Sequence, residues 1–293
     1  MSGEVSNNPA CVMCGGPARP RWRKQGYTFL QCSACELTFV HPVPTAAEIA
    51  KCYETDFFTG NESVGYVDFD REQRWRQMNY RHDVTKMQRF MKPGPARILD
   101  VGCATGTFLD VCPAEWDKYG LEVSQYAGEV AKKTYGDHIQ ITTLDKAVYP
   151  ENYFDVAVLW ETINHMIDPS GDLQRVHRAL KPGGIMALSV GDASSFLARV
   201  MGKYWYHVTP PIHIYYFTPG TLRNMFDRIG FEMVAVEHAG KRVDLATSFE
   251  RVRDTTSSPL LTRVCRAFAA MPWGKMVLYI NLHDTMQVYA RKK

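Results

Sequence analysis

Arg97-Ile98-Leu99-Asp100-Val101-Gly102-Cys103-Ala104-Thr105-Gly106-Thr107 is the stretch from which the fold of this chain is read. Arg97–Val101 has the character of a buried strand, Gly102–Gly106 is a turn of small side chains, and a short helix runs on until Pro113 stops it. A turn of that kind lets a ligand approach the backbone, because bulky side chains would fill the same space. Tyr119–Val123 reads as the next strand, and Glu122 places a carboxylate at its carboxyl end. A carboxylate there can accept hydrogen bonds from ribose hydroxyls, each worth about 1.5–3 kcal/mol. A nicotinamide dinucleotide is the obvious competitor, but its fingerprint needs glycine at 102, 104 and 107. The chain has Gly102, Ala104 and Thr107. The cradle for a pyrophosphate is poor, and a ligand without phosphates fits better.

Outward from this turn, strands and helices alternate. His138–Thr142 reads as a third strand, and Phe154–Trp160 is a continuous apolar run, as a parallel strand covered on both faces requires. A helix near 170–180 is broken by Lys181-Pro182-Gly183-Gly184 before the strand Ile185–Val190. Thr218 and Pro219 open a helix and Gly230 closes it, a Ser/Thr cap with proline at the first position and glycine past the end. Phe231–Glu237 and Met286–Ala290 supply the last strands, and residues 241–283 between them are expected to be helical with a Pro-Trp-Gly break. Before the first strand, Tyr80, Val84, Met87 and Met91 give residues 68–91 one apolar helical stripe. The pattern predicts an α/β fold with a parallel core.

With 45% hydrophobic and 22% charged residues, the chain can bury a real core. A formal charge of +3 does not by itself call for nucleic acid. No apolar run approaches the roughly 20 residues of a membrane span, so no membrane partner is expected. The N-terminus lacks a signal-peptide pattern, which makes a cytoplasmic location the default. Cys11-x-x-Cys14 and Cys32-x-x-Cys35 are two turns that can each present two sulfurs to one metal, giving a tetrahedral S₄ site. With four protein ligands and no open position, a Zn²⁺ there would be structural, holding together a segment too small for a core of its own. The pattern resembles zinc ribbons and sets residues 1–41 apart as a unit. Its insert, Arg19-Pro-Arg21-Trp22-Arg23-Lys24, is basic and is read mainly as a solvated hairpin.

Leu99–Gly106 resembles motif I of the class I S-adenosylmethionine-dependent methyltransferases. Tyr119–Ser124 is similar to their second motif, Phe154–Glu161 to their fourth-strand motif and Leu180–Ile185 to the turn before their fifth strand. The four occur in family order and span roughly residues 95–240. The resemblance implies a Rossmann-like seven-stranded sheet with helices on both faces and a reversed last strand from residues 284–291. It also implies that Asp100, Gly102 and Gly106, with Cys103 in the same turn, line the methionine part of S-adenosylmethionine, and that Glu122 holds the ribose. Thr143 and Leu144 would flank the adenine, and Trp160 with Glu161 would close the floor. The departure is Ala104, where the family usually has glycine; a backbone needing positive φ would resist alanine. The ribbon, the aromatic segment with Tyr53 and His213-Ile-Tyr-Tyr-Phe-Thr-Pro219 look like a bacterial group of zinc-ribbon methyltransferases acting largely on sugars and natural products. Tyr53 would then belong to a lid within residues 42–92, ahead of a catalytic domain at 93–293.

Methyl transfer to a hydroxyl or C–H donor needs a base, and His213 and His165 are the candidates, placed past the fifth and fourth strands where open α/β sheets bind ligands. Tyr204–His207 offer an aromatic wall for the acceptor. Glu161-Thr-Ile-Asn164-His165 is also similar to a Glu-x-x-Glu-His metal motif of other methyltransferases, with Asn164 in place of the second carboxylate. The expected function is methyl transfer to oxygen or carbon of a small molecule. The rivals are an RNA- or protein-modifying enzyme that reads its target through the ribbon, and a non-catalytic module that only binds the cofactor. Neither the acceptor nor the oligomeric state is set by the sequence.

Overall fold

The computed structural model describes residues 9–45, 48–49, 69–246, 249, 258–269, 271, 273 and 276–293. Tyr53 lies outside the described residues.

Strands β1 (Ala18–Lys24), β2 (Tyr27–Cys32) and β3 (Thr38–His41) form an antiparallel meander. Gln25 and Gly26 connect the first pair with φ of 49° and 82°, the positive values a two-residue hairpin turn demands. Helix α1 (Phe69–Gln88) buries Val84 and Met87 against the sheet and, on another side, Trp75, whose indole N–H donates to Asp244 at 3.0 Å.

The central sheet then builds up in chain order. Strand β4 (Arg97–Val101) leads through the small-residue turn to α2 (Thr107–Val111), and β5 (Asp117–Glu122) to α3 (Gln125–Tyr135). Next come β6 (Ile139–Ile141), β7 (Phe154–Trp160), α4 (Pro169–Ala179), β8 (Leu180–Gly191) and α5 (Phe196–Met201). The chain continues through β9 (Tyr215–Tyr216), α6 (Pro219–Ile229) and β10 (Phe231–His238). It ends with β11 (Lys241–Asp244), α7 (Pro259–Ala269), β12 (Val277–Ile280) and β13 (Thr285–Lys292). The sheet order is β10-β13-β8-β7-β4-β5-β6, with β13 antiparallel to both neighbours, as expected for the reversed last strand.

Alternation along the strands divides the core into two layers. Leu99, Ala157, Leu159 and Leu188 face α4 and α6, while Ile98, Val156, Val158 and Ala187 face α1, α2 and α3. Helix α6 has the predicted ends: Thr218 and Thr221 form a reciprocal capping box and Gly230 closes it at φ 106°.

Two expectations need correction. Residues 241–283 are not helical throughout, because β11 and β12 pair as an antiparallel ribbon before and after α7. Lys241-Arg-Val-Asp244 and Val277-Leu-Tyr-Ile280 are too short to show a period, and only their pairing defines them. The cysteine-rich unit set at residues 1–41 is also joined to the rest of the chain. Strand β3 pairs with β9, making a four-stranded sheet, and Phe29, Leu37 and Phe39 share one buried cluster with Tyr215, Tyr216 and Phe217.

Candidate active site and metal centre

Chain direction reverses between β4 and β7: the chain steps from β4 outward to β6 one way and from β7 to β8 the other. A crevice opens there at the carboxyl ends, the place where open α/β sheets bind ligands. It opens to solvent, takes in about 390 Å³ of space between the walls and the mouth, and is lined by Asp100, Gly102, Cys103, Ala104, Trp160 and, from α1, Arg76 and Tyr80, with Thr107 and Phe108 of α2. Phe108 stands edge-on to Tyr80 at 5.4 Å and to Trp160 at 5.5 Å, forming an aromatic wall. The indole N–H of Trp160 is buried without a partner among the described residues, an orphan donor that a bound ligand would satisfy.

The turn after β4 uses positive φ repeatedly: Gly102 at 82°, Ala104 at 48° and Gly106 at 88°. Ala104 thus adopts the left-handed conformation anticipated as awkward for it, and a hydrogen bond compensates. Its N–H donates to Glu122 Oε2 at 2.8 Å. Glu122 Oε1 accepts from Val123 N–H at 2.9 Å and Ser124 N–H at 2.8 Å. Three of the carboxylate's roughly four acceptor positions are therefore engaged by backbone, leaving one for a ligand rather than the two a ribose pair would use. Burial lifts the Glu122 pKa against those N–H donors. Asp100, 3% exposed, is pushed up to about 8 by burial and then by the Glu122 charge.

Trp160 ends β7, and Glu161 follows at φ 56°. Burial works against ionisation of Glu161, but Lys241 Nζ, 2.7 Å from its Oε1, outweighs it together with His207 and His213, holding the carboxyl down at about 2. Ser189 also donates to that oxygen at 3.1 Å. The ammonium of Lys241 therefore stands where a divalent ion bound to Glu161 would compete. Asn164 is buried, with its side-chain oxygen unpartnered among the described residues.

His165, His207 and His213 form one cluster. The rings of His165 and His213 meet edge-on at 4.7 Å, and those of His207 and His213 stack at 5.9 Å. His213 Nδ1 lies 2.6 Å from the His207 carbonyl oxygen. Burial lowers the pKa of both His213 and His165, the latter to about 3 with help from the His213 charge. His165 also faces the backbone carbonyls of Glu161 and Ile212. Of the aromatic wall, Trp205 is buried with its N–H on Asp284 at 2.9 Å, while Tyr204 is exposed.

The expected cofactor residues are distributed unevenly. Asp100, Gly102, Cys103 and Trp160 line the crevice; Gly106 caps α2 beside it, and Glu122 braces its turn from behind. Thr143 and Leu144 follow β6 on the same sheet edge, but Leu144 lines a second cavity with Leu99, Asp145 and Arg175. Sequence reasoning missed Arg76, Tyr80 and Lys241. Tyr80 reads in the sequence as one member of a packing stripe, and nothing local marks Arg76 or Lys241 as approaching the site from elements far apart in sequence.

At the ribbon end, the sulfurs of Cys11, Cys14, Cys32 and Cys35 all lie within 4.8 Å of one another. Cys11–Cys35 is 3.6 Å and Cys14–Cys32 is 3.4 Å. Tetrahedral zinc with bonds of about 2.3 Å sets sulfurs about 3.8 Å apart, so the donor set fits. Gly16 N–H points to Cys14 Sγ, and Ala34 and Cys35 N–H to Cys32 Sγ, each at 3.4 Å, as thiolates require. A Cβ on Gly16 would come 2.9 Å from the Ala34 Cβ and 3.2 Å from the Cys14 sulfur, so only glycine keeps the cage open.

A methyltransferase-domain family model matches residues 72–236. The chain belongs to the class I S-adenosylmethionine-dependent methyltransferases. It is 25% identical to an O-methyltransferase of Penicillium expansum over 67% of this chain and 75% of that one. Against a ubiquinone biosynthesis O-methyltransferase of Cereibacter sphaeroides, identity is 28% over 47% of this chain, which spans only 61% of that relative's length. Among solved structures, a SAM-dependent methyltransferase of Thermotoga maritima superposes with a TM-score of 0.50 at 21% identity, covering 77% of this chain and 94% of that one. That likeness speaks to the fold.

Proposed function

We propose that this enzyme transfers the methyl group of S-adenosylmethionine to a hydroxyl oxygen of a small molecule, with His213 as general base. The observation that carries the assignment is the 2.6 Å contact of His213 Nδ1 with the His207 carbonyl oxygen, which can only accept. With Nδ1–H donated to the His207 carbonyl, Nε2 holds the lone pair of the neutral ring. Burial keeps the ring's pKa below its ordinary 6.5, so the basic form is present at neutral pH. His165, between two backbone carbonyls and driven to about 3, braces His213 rather than sharing its role.

When bound, S-adenosylmethionine supplies a methyl carbon on a cationic sulfur that departs as a neutral thioether. Asp100 suits the cofactor's ammonium, Arg76 its carboxylate, and the free acceptor position of Glu122 its ribose. Gly102, Cys103 and Gly106 leave room along the turn. Trp160, with Glu161 beyond it, closes the floor, Thr143 and Leu144 are assigned the adenine, and Tyr53 the lid. Four cysteines in one cage support structural Zn²⁺, and a cytoplasmic setting keeps such thiols reduced. The O-methyltransferase names among the relatives favour oxygen over carbon.

The reading in which the ribbon recognises a macromolecule loses two of its cations. Arg21 donates to Thr38 Oγ1 at 3.1 Å and lies 4.2 Å over the Trp22 ring, and Lys24 Nζ donates to the Val208 carbonyl at 2.6 Å. The test is turnover on a panel of hydroxylated sugars and phenols, read by release of the demethylated cofactor. His213→Ala should lower kcat by about 10²–10⁴-fold with cofactor affinity intact. Wild-type turnover in that variant would remove the base assignment.

A further inference from the structure

Two segments leave the central sheet at one edge, and each has a long stretch without acidic residues, the second only after Asp244, Glu250 and Asp254. Between Asp192 and Asp227 the chain has no Asp or Glu, and between Pro259 and Leu282 again none. Gly191 at the end of β8 pairs with Thr285 at the start of β13, and His238 at the end of β10 pairs with Met286. Helix α5, which follows β8, and the excursion carrying β11, α7 and β12, which joins β10 to β13, therefore project from neighbouring strand ends. The crevice lies along that same carboxyl edge.

Their outward faces are apolar. Phe196, Val200 and Tyr204 recur at four-residue spacing and are 82, 68 and 71% exposed. On α7, Leu260, Val264 and Phe268 repeat the spacing at 73, 40 and 43%, while Cys265, off this stripe, is buried. Arg199, Arg263 and Arg266 are exposed beside these stripes. Exposed apolar area on this scale marks a surface that meets something. A second copy of the chain fits badly, since a two-fold contact would bring the exposed Arg199, Arg263 and Arg266 of both copies together. An anionic bilayer answers both features: apolar side chains enter the boundary between headgroups and acyl chains, and the guanidinium groups remain at the phosphates.

We propose that this rim seats the protein on the surface of an anionic phospholipid bilayer. Such a seat needs no crossing helix, and among the described residues none is long and apolar enough to cross. The proposal stands independently of which atom is methylated.

Co-sedimentation at low ionic strength with vesicles of phosphatidylglycerol, against vesicles of phosphatidylcholine, tests it. The full chain should bind the first at least tenfold more tightly, and each of Arg263→Gln and Arg266→Gln should lower that binding about fivefold. Leu260→Asp with Phe268→Asp should abolish it, and calorimetric binding of S-adenosylmethionine by every variant establishes that each is folded. No binding to phosphatidylglycerol, or equal binding to both lipids, overturns the proposal. So does a dimer in sedimentation velocity that the Leu260→Asp, Phe268→Asp variant converts to monomer while lipid binding is unchanged.

Discussion

Binding of S-adenosylmethionine should drive a proton off Asp100. Burial, backed by the Glu122 charge, raises this carboxyl from 3.8 to about 8. At pH 7 a group with that pKa carries about 0.9 of a proton. A ligand that brings an ammonium and a sulfonium alongside favours the carboxylate and reverses the shift. Calorimetric titration at pH 7 in buffers of different ionisation enthalpy should therefore give different apparent heats. Their slope should read about 0.9 proton released, falling to about 0.1 at pH 9. Asp100→Asn should remove the slope and weaken binding by at least about thirtyfold, the lower end for losing one partner of a buried charge pair. The sign of the stability effect follows from the same shift. A carboxyl whose folded pKa exceeds its unfolded value holds extra protons when folded, so apo stability contributed by Asp100 falls as pH rises from about 4 to about 8. Saturating cofactor should flatten that decline. Tight binding at pH 7 with zero slope would mean Asp100 is already ionised, and the burial argument would be wrong.

Three further outcomes are expected. The kcat of the wild type should be lost as pH falls through the lowered His213 pKa, on a limb centred below 6.5; a limb centred above 7 would point to another base. Stripping the metal with a chelator should melt the ribbon, since structural zinc contributes on the order of 10–16 kcal/mol in small folds, and circular dichroism on heating should show the loss. An unchanged Tm after verified metal removal would refute a structural role. Trp205→Phe should destabilise by about 1.5–3 kcal/mol in urea unfolding, because Asp284, 3% exposed, loses its indole donor; a change under about 0.5 kcal/mol would show that the bond is not a net contributor.

Much of the fold was legible because its signals are local. The turn from Gly102 to Gly106, the capped helix at 219–229 and the apolar run of β7 each carry their own chemistry within a few residues. The paired cysteine turns were legible for the same reason. What escaped depends on contacts between distant segments. Lys241 meets Glu161 only because β11 crosses from the edge strand β10 past the ends of β13 and β8 to the end of β7, and Asn79 exchanges two hydrogen bonds with the Arg242 backbone across α1 and β11. Glu122 was readable as a carboxylate at a strand end, but its engagement by three N–H groups depends on the turn closing back over it. The two histidines looked equivalent in sequence. Their partners separate them, with one oriented by a single carbonyl and the other held between two.

The junction of β3 with β9 ties the cysteine cage to the histidine loop rather than leaving it an appendage. Tyr216, in register with Thr38, lies three residues beyond His213 and returns its hydroxyl to the His213 carbonyl at 2.9 Å, while Lys24 pins Val208 upstream. Cutting the chain at residue 42 would strip β9 of its neighbour and uncover Tyr215 and Phe217, so truncation leaves a damaged catalytic half instead of a minimal enzyme. A transplant of this ribbon onto another scaffold would have to carry the histidine loop along with it.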